Sequence, residues 1–439
     1  MPGTMLRKPV IQSVAPAAIV AALAGFLLVP QATRSQEGES EQEQPLPARL
    51  VIDVDSPERS LYRIAVPELL GSAGGENGAE VIRNDLRLSS LFEVLDPKSF
   101  LADTEAEGLG IGPQAWTVVG AQGVVKGRLS ATGSKIKLEM RLYELARGNS
   151  PVLSRDYSGG KGELRRFMHE FANEILRVLT GKAGAFGTRL AFARRVGPGR
   201  KDIYVAEFDG HRVGRVSSGR GVAMLPSFGP GGVWYSILSR RGMFITHSNA
   251  KERPIIKGRG LNMGVSVCGG RAYFSSTRDG NSEIYSAALD GSGLRRLTNH
   301  PGIDVSPTCG PGGDIAFVST RHGSAQIFVM SASGGLPKRI TYKGDHNQTP
   351  AWCPDPKNPL IAFTGRDAGS FDVFTVNLKT GRYTRLTQGQ GLNKDPAFSP
   401  DCRMVAFASS RGGIFISNPE GLNQTLVVRG GAETVRWSR

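Results

Sequence analysis

The spacing of apolar positions divides the chain into regions with different periods. RLVIDV (49–54) and LYRIAV (61–66) read as strands. KIKLEMRLYEL (135–145) alternates through Ile136, Leu138, Met140 and Leu142, the two-residue period of a half-buried strand. EVIRNDLRLSSLF switches to helical spacing, with Ile82, Leu86 and Phe92 on one side. ELRRFMHEFANEILRVLTG places Leu164, Phe167, Met168, Phe171, Ile175 and Leu179 on one helical face, and Gly181 stands where a C-terminal cap belongs. This mixture predicts an α/β domain over residues 48–182. His169 lies beside the apolar stripe and reads as a surface or packing residue rather than a ligand or base.

From Thr188 onward the helical period disappears and the chain repeats itself. AYFSSTRDGNSEIYSAALDGSGLRRLT (272–298), IAFVSTRHGSAQIFVMSASGGLPKRIT (315–341) and IAFTGRDAGSFDVFTVNLKTGRYTRLT (361–387) align, with diverged copies starting at LAFARR, VWYSIL and VAFASS. Short apolar segments ending in a turn separate the copies. Measured at Phe228, Cys268, Cys309, Trp352, Phe398 and Trp437, the steps are 40, 41, 43, 46 and 39 residues. Four short runs in each such unit are the signature of a propeller blade. Six copies predict an all-β six-bladed β-propeller over 186–439, following the N-terminal α/β domain. The first copy lacks a first strand, and AETVRWSR is a first strand with no successor. The C-terminal strand is therefore expected to complete the first blade and close the ring, removing its open edge.

The repeat decides how the cluster DPAFSPDCRMVAF (395–407) is read. Ser399-Pro400-Asp401 is a type I turn sequence, and GPGG at 229–232 and 310–313 holds the same place in sister units. A catalytic residue would not reappear as glycine, so this is a corner of the fold. The residues before these turns, including Cys268 and Cys309, are expected to pack between blades. Packed sheets lie about 10 Å apart, whereas a disulfide needs Cα atoms within roughly 7 Å. The four cysteines are accordingly expected to be buried free thiols. The arginines after the second strands, Arg278, Arg321, Arg366 and Arg411, are expected to brace each blade against a following acid or amide (Glu283, Gln326, Asp372).

Composition narrows the function. The 57 glycines and 26 prolines fit a turn-rich β protein. The net charge of +15 comes from Lys and Arg scattered in runs no longer than two, which points to a solvated basic surface rather than a nucleic-acid site. Arg7 and Lys8 precede an apolar run from Val10 to Val29 and the small and polar residues QATRSQ, the layout of a secretory signal peptide over 1–35 cleaved near Ala32 or Ser35. An uncleaved anchor is the alternative. SQEGESEQEQP then forms an acidic tether (36–47). No P-loop, HExxH or zinc spacing occurs, and GVSVC at 264–268 lacks the last glycine of a nucleophile elbow. No enzyme activity, cofactor or metal is expected. The first strands of the blades should line a channel, and their leading residues should ring one mouth: Met224, Asn262, Met263, Asp304, His346, Asn347, Gln348, Asn393, Lys394 and Glu433. This mixed polar ring suits protein or peptide docking, and a merely hydrated channel is the alternative.

The chain resembles the TolB family of periplasmic propeller proteins of the Tol–Pal envelope system. The resemblance rests on NDLRLSSLFEVLDP (84–97), GVVKGRL (123–129) and FMHEFANEILRVLTGKAGAFGTRLAF (167–192), together with the propeller repeats. It implies a monomeric, non-enzymatic adaptor that binds the peptidoglycan-associated lipoprotein Pal at the propeller mouth and TolA through its N-terminal segment. It also implies a role in outer-membrane integrity and cell division. The family's mouth segments match His346-Asn347-Gln348-Thr349 and Asn393-Lys394-Asp395 best. The acidic tether departs from the family, which begins its α/β domain soon after cleavage. A different class of function, an accessory propeller of a peptidase-like enzyme, is the alternative.

Overall fold

The computed structural model describes residues 60–71, 77–219, 221–240, 242–367 and 369–439. The expected signal peptide, tether and strand at 49–54 lie outside the described residues. The α/β domain opens with β1 (Tyr62–Ala65), α1 (Gly78–Leu88) and β2 (Phe92–Val94). Asn77 caps α1 by accepting the Glu80 amide at 3.2 Å. The helix stops at Leu88, and Ser90 turns left-handed at φ 58°. Phe92, expected on the helical face, therefore opens β2 instead. Short helices α2 (Thr104–Glu107) and α3 (Pro113–Val118) lead to β3 (Gly123–Thr132), β4 (Lys135–Glu144), β5 (Leu153–Gly160) and the long α4 (Leu164–Thr180). The sheet order is β2-β1-β3-β4-β5, with β1 parallel to both neighbours and the rest antiparallel. Gly181 ends α4 at φ 78°, as its position predicts.

The remainder is a β-propeller. One sheet combines β6 (Arg189–Gly197), β7 (Arg200–Glu207), β8 (Gly214–Arg215), β9 (Val222–Gly229), β10 (Gly232–Ser239) and β11 (Gly242–His247) with the C-terminal strand. Only a single parallel partnership, Lys201 with Val222, joins β7 to β9. Four four-stranded antiparallel sheets follow. They are β12 (Asn262–Cys268), β13 (Arg271–Ser276), β14 (Glu283–Ala288) and β15 (Arg295–Arg296); then β16 (Asp304–Cys309), β17 (Asp314–Ser319), β18 (Gln326–Ser331) and β19 (Lys338–Arg339). The last two are β20 (His346–Trp352), β21 (Leu360–Asp367), β22 (Ser370–Asn377) and β23 (Tyr383–Arg385), and β24 (Asn393–Phe398), β25 (Val405–Ser409), β26 (Gly413–Ser417) and β27 (Thr425–Arg429). The final strand, β28 (Glu433–Trp437), pairs antiparallel with β6 in the register Trp437 to Leu190.

One apolar core runs from the α/β sheet into the propeller. It joins Phe171 and Leu179 of α4 to Phe186, Phe208, Val435 and Trp437. The Phe208 ring lies 5.6 Å from Phe186 and from His169, and 6.4 Å from Trp437. Polar ties surround this contact. Arg165 pairs with Glu207 and Asp209, Lys182 with Asp355 at 2.9 Å, and Arg403 donates to Thr180 at 2.7 Å. His169 is buried here, its Nδ1 2.7 Å from Asp85. Burial pushes the Asp85 carboxyl up to about 6. Burial by itself would lower His169, but the hydrogen bond and charge of Asp85 hold it above its ordinary value.

The cysteines depart from expectation. Cys268 is bonded to Cys309, with Cα atoms 6.4 Å apart, and Cys353 to Cys402, at 5.6 Å. The spacing of about 10 Å holds for sheet faces at mid-blade. At the channel the inner strands converge: the Cys309 amide donates to Ser266 Oγ of the neighbouring strand at 3.2 Å. Cys402 sits in the expected turn, closed by its amide donating to the Ser399 carbonyl at 2.9 Å. Its φ of 61° matches the left-handed Gly313 of the sister turn.

Two outcomes follow from these contacts. Replacing Cys268 and Cys309 by serine should lower stability by about 4 kcal/mol on the chain-entropy relation for a loop of this size. Urea unfolding measures this, and a reactive thiol in the unreduced, denatured protein would refute the pairing. The second outcome concerns pH. Asp85 and His169 both bind their proton more tightly when folded, so their joint contribution is complete at low pH and is lost as pH rises. For Asp85 the loss runs from its unfolded value of 3.8 to about 6; for His169 it starts above 6.5. The urea midpoint should fall from about pH 5 to about pH 8. Asp85→Asn with His169→Gln should flatten that slope, and an unchanged slope would remove the assignment.

Candidate functional site at the channel mouth

The inner strands β9, β12, β16, β20, β24 and β28 touch one another in sequence, and β28 also touches β9. All six carry a register shift at the same place: after Met224, Met263, Val305, Gln348, Lys394 and Glu433 in turn. The next residue has a positive φ in each strand: Leu225, Gly264, Ser306, Thr349, Asp395 and Thr434. The bulge turns its amide toward the preceding blade. Gly264 donates to Ser236 Oγ at 3.0 Å, Ser306 to Ser275 Oγ at 3.1 Å and Asp395 to Thr364 Oγ1 at 2.9 Å. The preceding blade offers Thr434 only Ala408 at that register position. There the Asp395 carboxylate accepts the Thr434 amide at 2.8 Å instead.

The bulge sorts the predicted mouth residues into two groups. Asn262, Asp304, Asn347 and Asn393 are buried at 0 to 1% exposure and point into the blades. Asn262 Oδ1 accepts from Arg278 at 2.7 Å and from Ser276 at 2.9 Å, while Asp304 pairs with Arg321 at 2.9 Å. Asn347 donates to Gln326 and to the Lys343 carbonyl, both at 2.8 Å, and Asn393 to the Gly391 carbonyl at 3.1 Å. These four hold the ring together, and their side chains are not on the surface. Met224, Met263, His346, Gln348, Thr349, Lys394 and Glu433 are half-buried, and Asp395 is 9% exposed and turned to the next strand. Burial raises the Asp304 carboxyl, offset in part by Ser319 and Arg321.

The brace arginines also find other partners than expected. Arg278 and Arg321 reach back to Asn262 and Asp304. Arg411 reaches Gln424 at 2.7 Å, and Arg366 reaches Asp345 at 2.9 Å. Glu283, Gln326 and Asp372 accept instead from the threonines Thr298, Thr341 and Thr387 at 2.5 to 2.7 Å.

A cluster at the mouth includes residues outside the predicted ring. Lys394 Nζ lies 4.4 Å and the Arg366 guanidinium 5.7 Å over the Phe371 ring, which also meets His346 in a T-shaped contact at 5.7 Å. His346 Nε2 is 3.1 Å from Gln348 Oε1. Lys201 pairs with Glu433. Phe371 heads a third strand where sister copies carry Ser282 and Ala325; that departure from the repeat is the signal by which it could have been found. Val305, the remaining member of the half-exposed column, hid behind Asp304. Away from the mouth, Asp85, His169 and Asp209 could hold a metal by spacing, their ligand atoms lying within 4.8 Å of one another. The Arg165 guanidinium on Asp209 already supplies a cation there.

An α/β domain joined to a β-propeller with a polar, aromatic-edged mouth defines a two-domain propeller protein. Residues 176–414 match the family model of the TolB beta propeller domain, and residues 50–150 that of the TolB amino-terminal domain. The chain belongs to the TolB family. It is 38% identical over 275 residues to the Tol-Pal system protein TolB of Anaeromyxobacter dehalogenans, an alignment covering 60% of this chain and 63% of that one. The Geobacter metallireducens protein of that name is 33% identical over 205 residues, 47% of this chain and 46% of its own length. The match thus spans less than two thirds of these relatives. The crystal structure of TolB from Acinetobacter baumannii shares the fold with a TM-score of 0.75 at 24% identity, over 86% of this chain and 96% of that one. No helix among the described residues is long and apolar enough to cross a membrane.

The burial pattern predicts a division of effects. Asn347→Ala should cost about 1–3 kcal/mol by stranding buried partners, and Lys394→Glu less than about 0.5 kcal/mol. Thermal unfolding of both variants checks this; equal losses would contradict the division.

Proposed function

We propose that the protein is a non-enzymatic adaptor of the Tol–Pal system, exported to the periplasm behind a cleaved N-terminal signal peptide. The propeller mouth binds the peptidoglycan-associated lipoprotein. The N-terminal region engages TolA, so the protein links the inner-membrane and outer-membrane parts of the envelope and supports outer-membrane integrity and constriction at division. The observation that carries this reading is that TolB models match both domains, in order, along one chain.

The domain layout of this reading is a signal peptide over 1–35, a tether over 36–47, an α/β domain over 48–182 and a propeller over 186–439. We count six blades, taking the large sheet as two joined by the Lys201–Val222 partnership, with β28 closing the ring in the first blade. The antiparallel pairing of β28 with β6 and the run of contacts around the six inner strands support this count. Within the mouth, the reading assigns partner contact to Met224, Met263, His346, Gln348, Thr349, Lys394 and Glu433, with Phe371 added. The buried Asn262, Asp304, Asn347 and Asn393, and the inter-strand carboxylate of Asp395, support them from within.

Purified protein should retain the periplasmic domain of the lipoprotein in a pull-down, and His346→Ala with Lys394→Glu should weaken binding at least about tenfold, roughly 1.4 kcal/mol. Failure to retain the lipoprotein sinks the adaptor reading. Retention with unchanged affinity in the variant moves the contact elsewhere.

A further inference from the structure

The far end of the channel has a chemistry of its own. A cavity of about 910 Å³ opens where the inner strands finish, walled by the last residues of all six. One register position in this wall is small in five strands: Ser227, Ser266, Thr308, Ala351 and Ala397. In β28 it is Arg436, so the sixth strand sends a guanidinium into a space that its sisters leave open.

Arg436 is held but not neutralised. Its Nη1 donates to the Val435 carbonyl at 2.8 Å. Among the described residues no carboxylate pairs with it, and Nε and Nη2 have no protein partner. Enclosure by the channel wall lowers its pKa, and only the more distant Asp395 opposes that shift. Arg439, exposed beside the same wall, donates to the Cys309 carbonyl at 3.4 Å. An enclosed guanidinium without an anion is unfavourable, and a bidentate carboxylate is the group its planar fork fits best. Phe228, Trp352, Phe398 and Trp437 also line this cavity. Aromatic walls bind an apolar body; a cationic fork inside them fixes one anionic end.

We propose that this end of the channel is a second binding site, distinct from the mouth, for an organic carboxylate joined to an apolar or aromatic body. The C-terminus of a peptide and a free aryl-alkyl acid both present that chemistry. The Arg436 guanidinium holds the carboxylate, and the ring of aromatic residues receives the body. The site does not depend on the Tol–Pal reading.

Two of the protein's four tryptophans line the cavity, so intrinsic fluorescence reports on it directly. The full chain is titrated with 3-phenylpropionate, a tripeptide ending in Phe with a free carboxylate, the same tripeptide as its C-terminal amide, and inorganic phosphate. The carboxylates should change the emission saturably, with the amide at least tenfold weaker. Arg436→Ser, which installs the residue of two sister strands, should abolish the response, while Lys394→Glu at the mouth should leave it intact. Arg436→Lys should retain a weakened response, separating loss of the charge from loss of the fold. Response to phenylpropionate identifies a small-molecule site, and response to the peptide alone a peptide-terminus site. Equal binding of acid and amide, equal binding of phosphate, or an unaltered Arg436→Ser titration would each overturn the proposal.

Discussion

The propeller depends on the bulge that every inner strand carries at the same place in its ladder. A bulge leaves one residue out of the ladder and exposes its amide, an unfavourable arrangement unless a partner is supplied. Here the partner comes from the blade before: Ser236, Ser275 and Thr364 accept from Gly264, Ser306 and Asp395. Each such bond is worth on the order of 1 kcal/mol net. Its geometric effect is larger, because it fixes one blade against the next beside the channel. Where the hydroxyl is missing, at Ala408, Asp395 takes the same role with a carboxylate.

That constraint explains the character of the mouth. The bulge reverses the alternation of the strand, so the residue two before it turns into the blade and the one just before it faces outward. Asn262, Asp304, Asn347 and Asn393 thereby become buried struts, hydrogen-bonded to brace arginines, glutamine or backbone. Met263, Gln348, Lys394 and Glu433 are left half-exposed on a frame that cannot easily shift. The same inward convergence that builds the ring brings Cys268 to Cys309 and locks two neighbouring blades covalently.

The repeat made the propeller legible, because a 40-residue spacing of four alternating runs has few other physical solutions. Helix α4 was equally plain from its apolar stripe and terminal Gly181. What was not legible lay in three dimensions. Asn393 and Lys394 are adjacent polar residues, and only the bulge says which one is buried. The disulfides escape the sequence because the mid-blade spacing does not hold at the channel wall, where strands are closer. His169 looked like one more polar residue beside a stripe, yet it is buried with Asp85 between the domain and the propeller. Phe371 needed no geometry, only attention to a position where one copy breaks the pattern.

The departures from the repeat carry the differences in charge around the channel. Two columns of equivalent positions around the channel are mostly uncharged: Ser227, Ser266, Thr308, Ala351 and Ala397 below the bulge, and Met224, Met263, Val305 and Gln348 above it. Charge enters at Lys394 and Glu433 toward the mouth and at Arg436 toward the turns, on the neighbouring strands β24 and β28. Lys394 is partnered by an aromatic face and Glu433 by Lys201, so the mouth is electrostatically satisfied before anything binds. Among the described residues Arg436 has no carboxylate partner. A symmetric ring of small residues would pass water and select nothing; one unpaired guanidinium within an aromatic collar gives the channel a direction, with a balanced end and a cationic end.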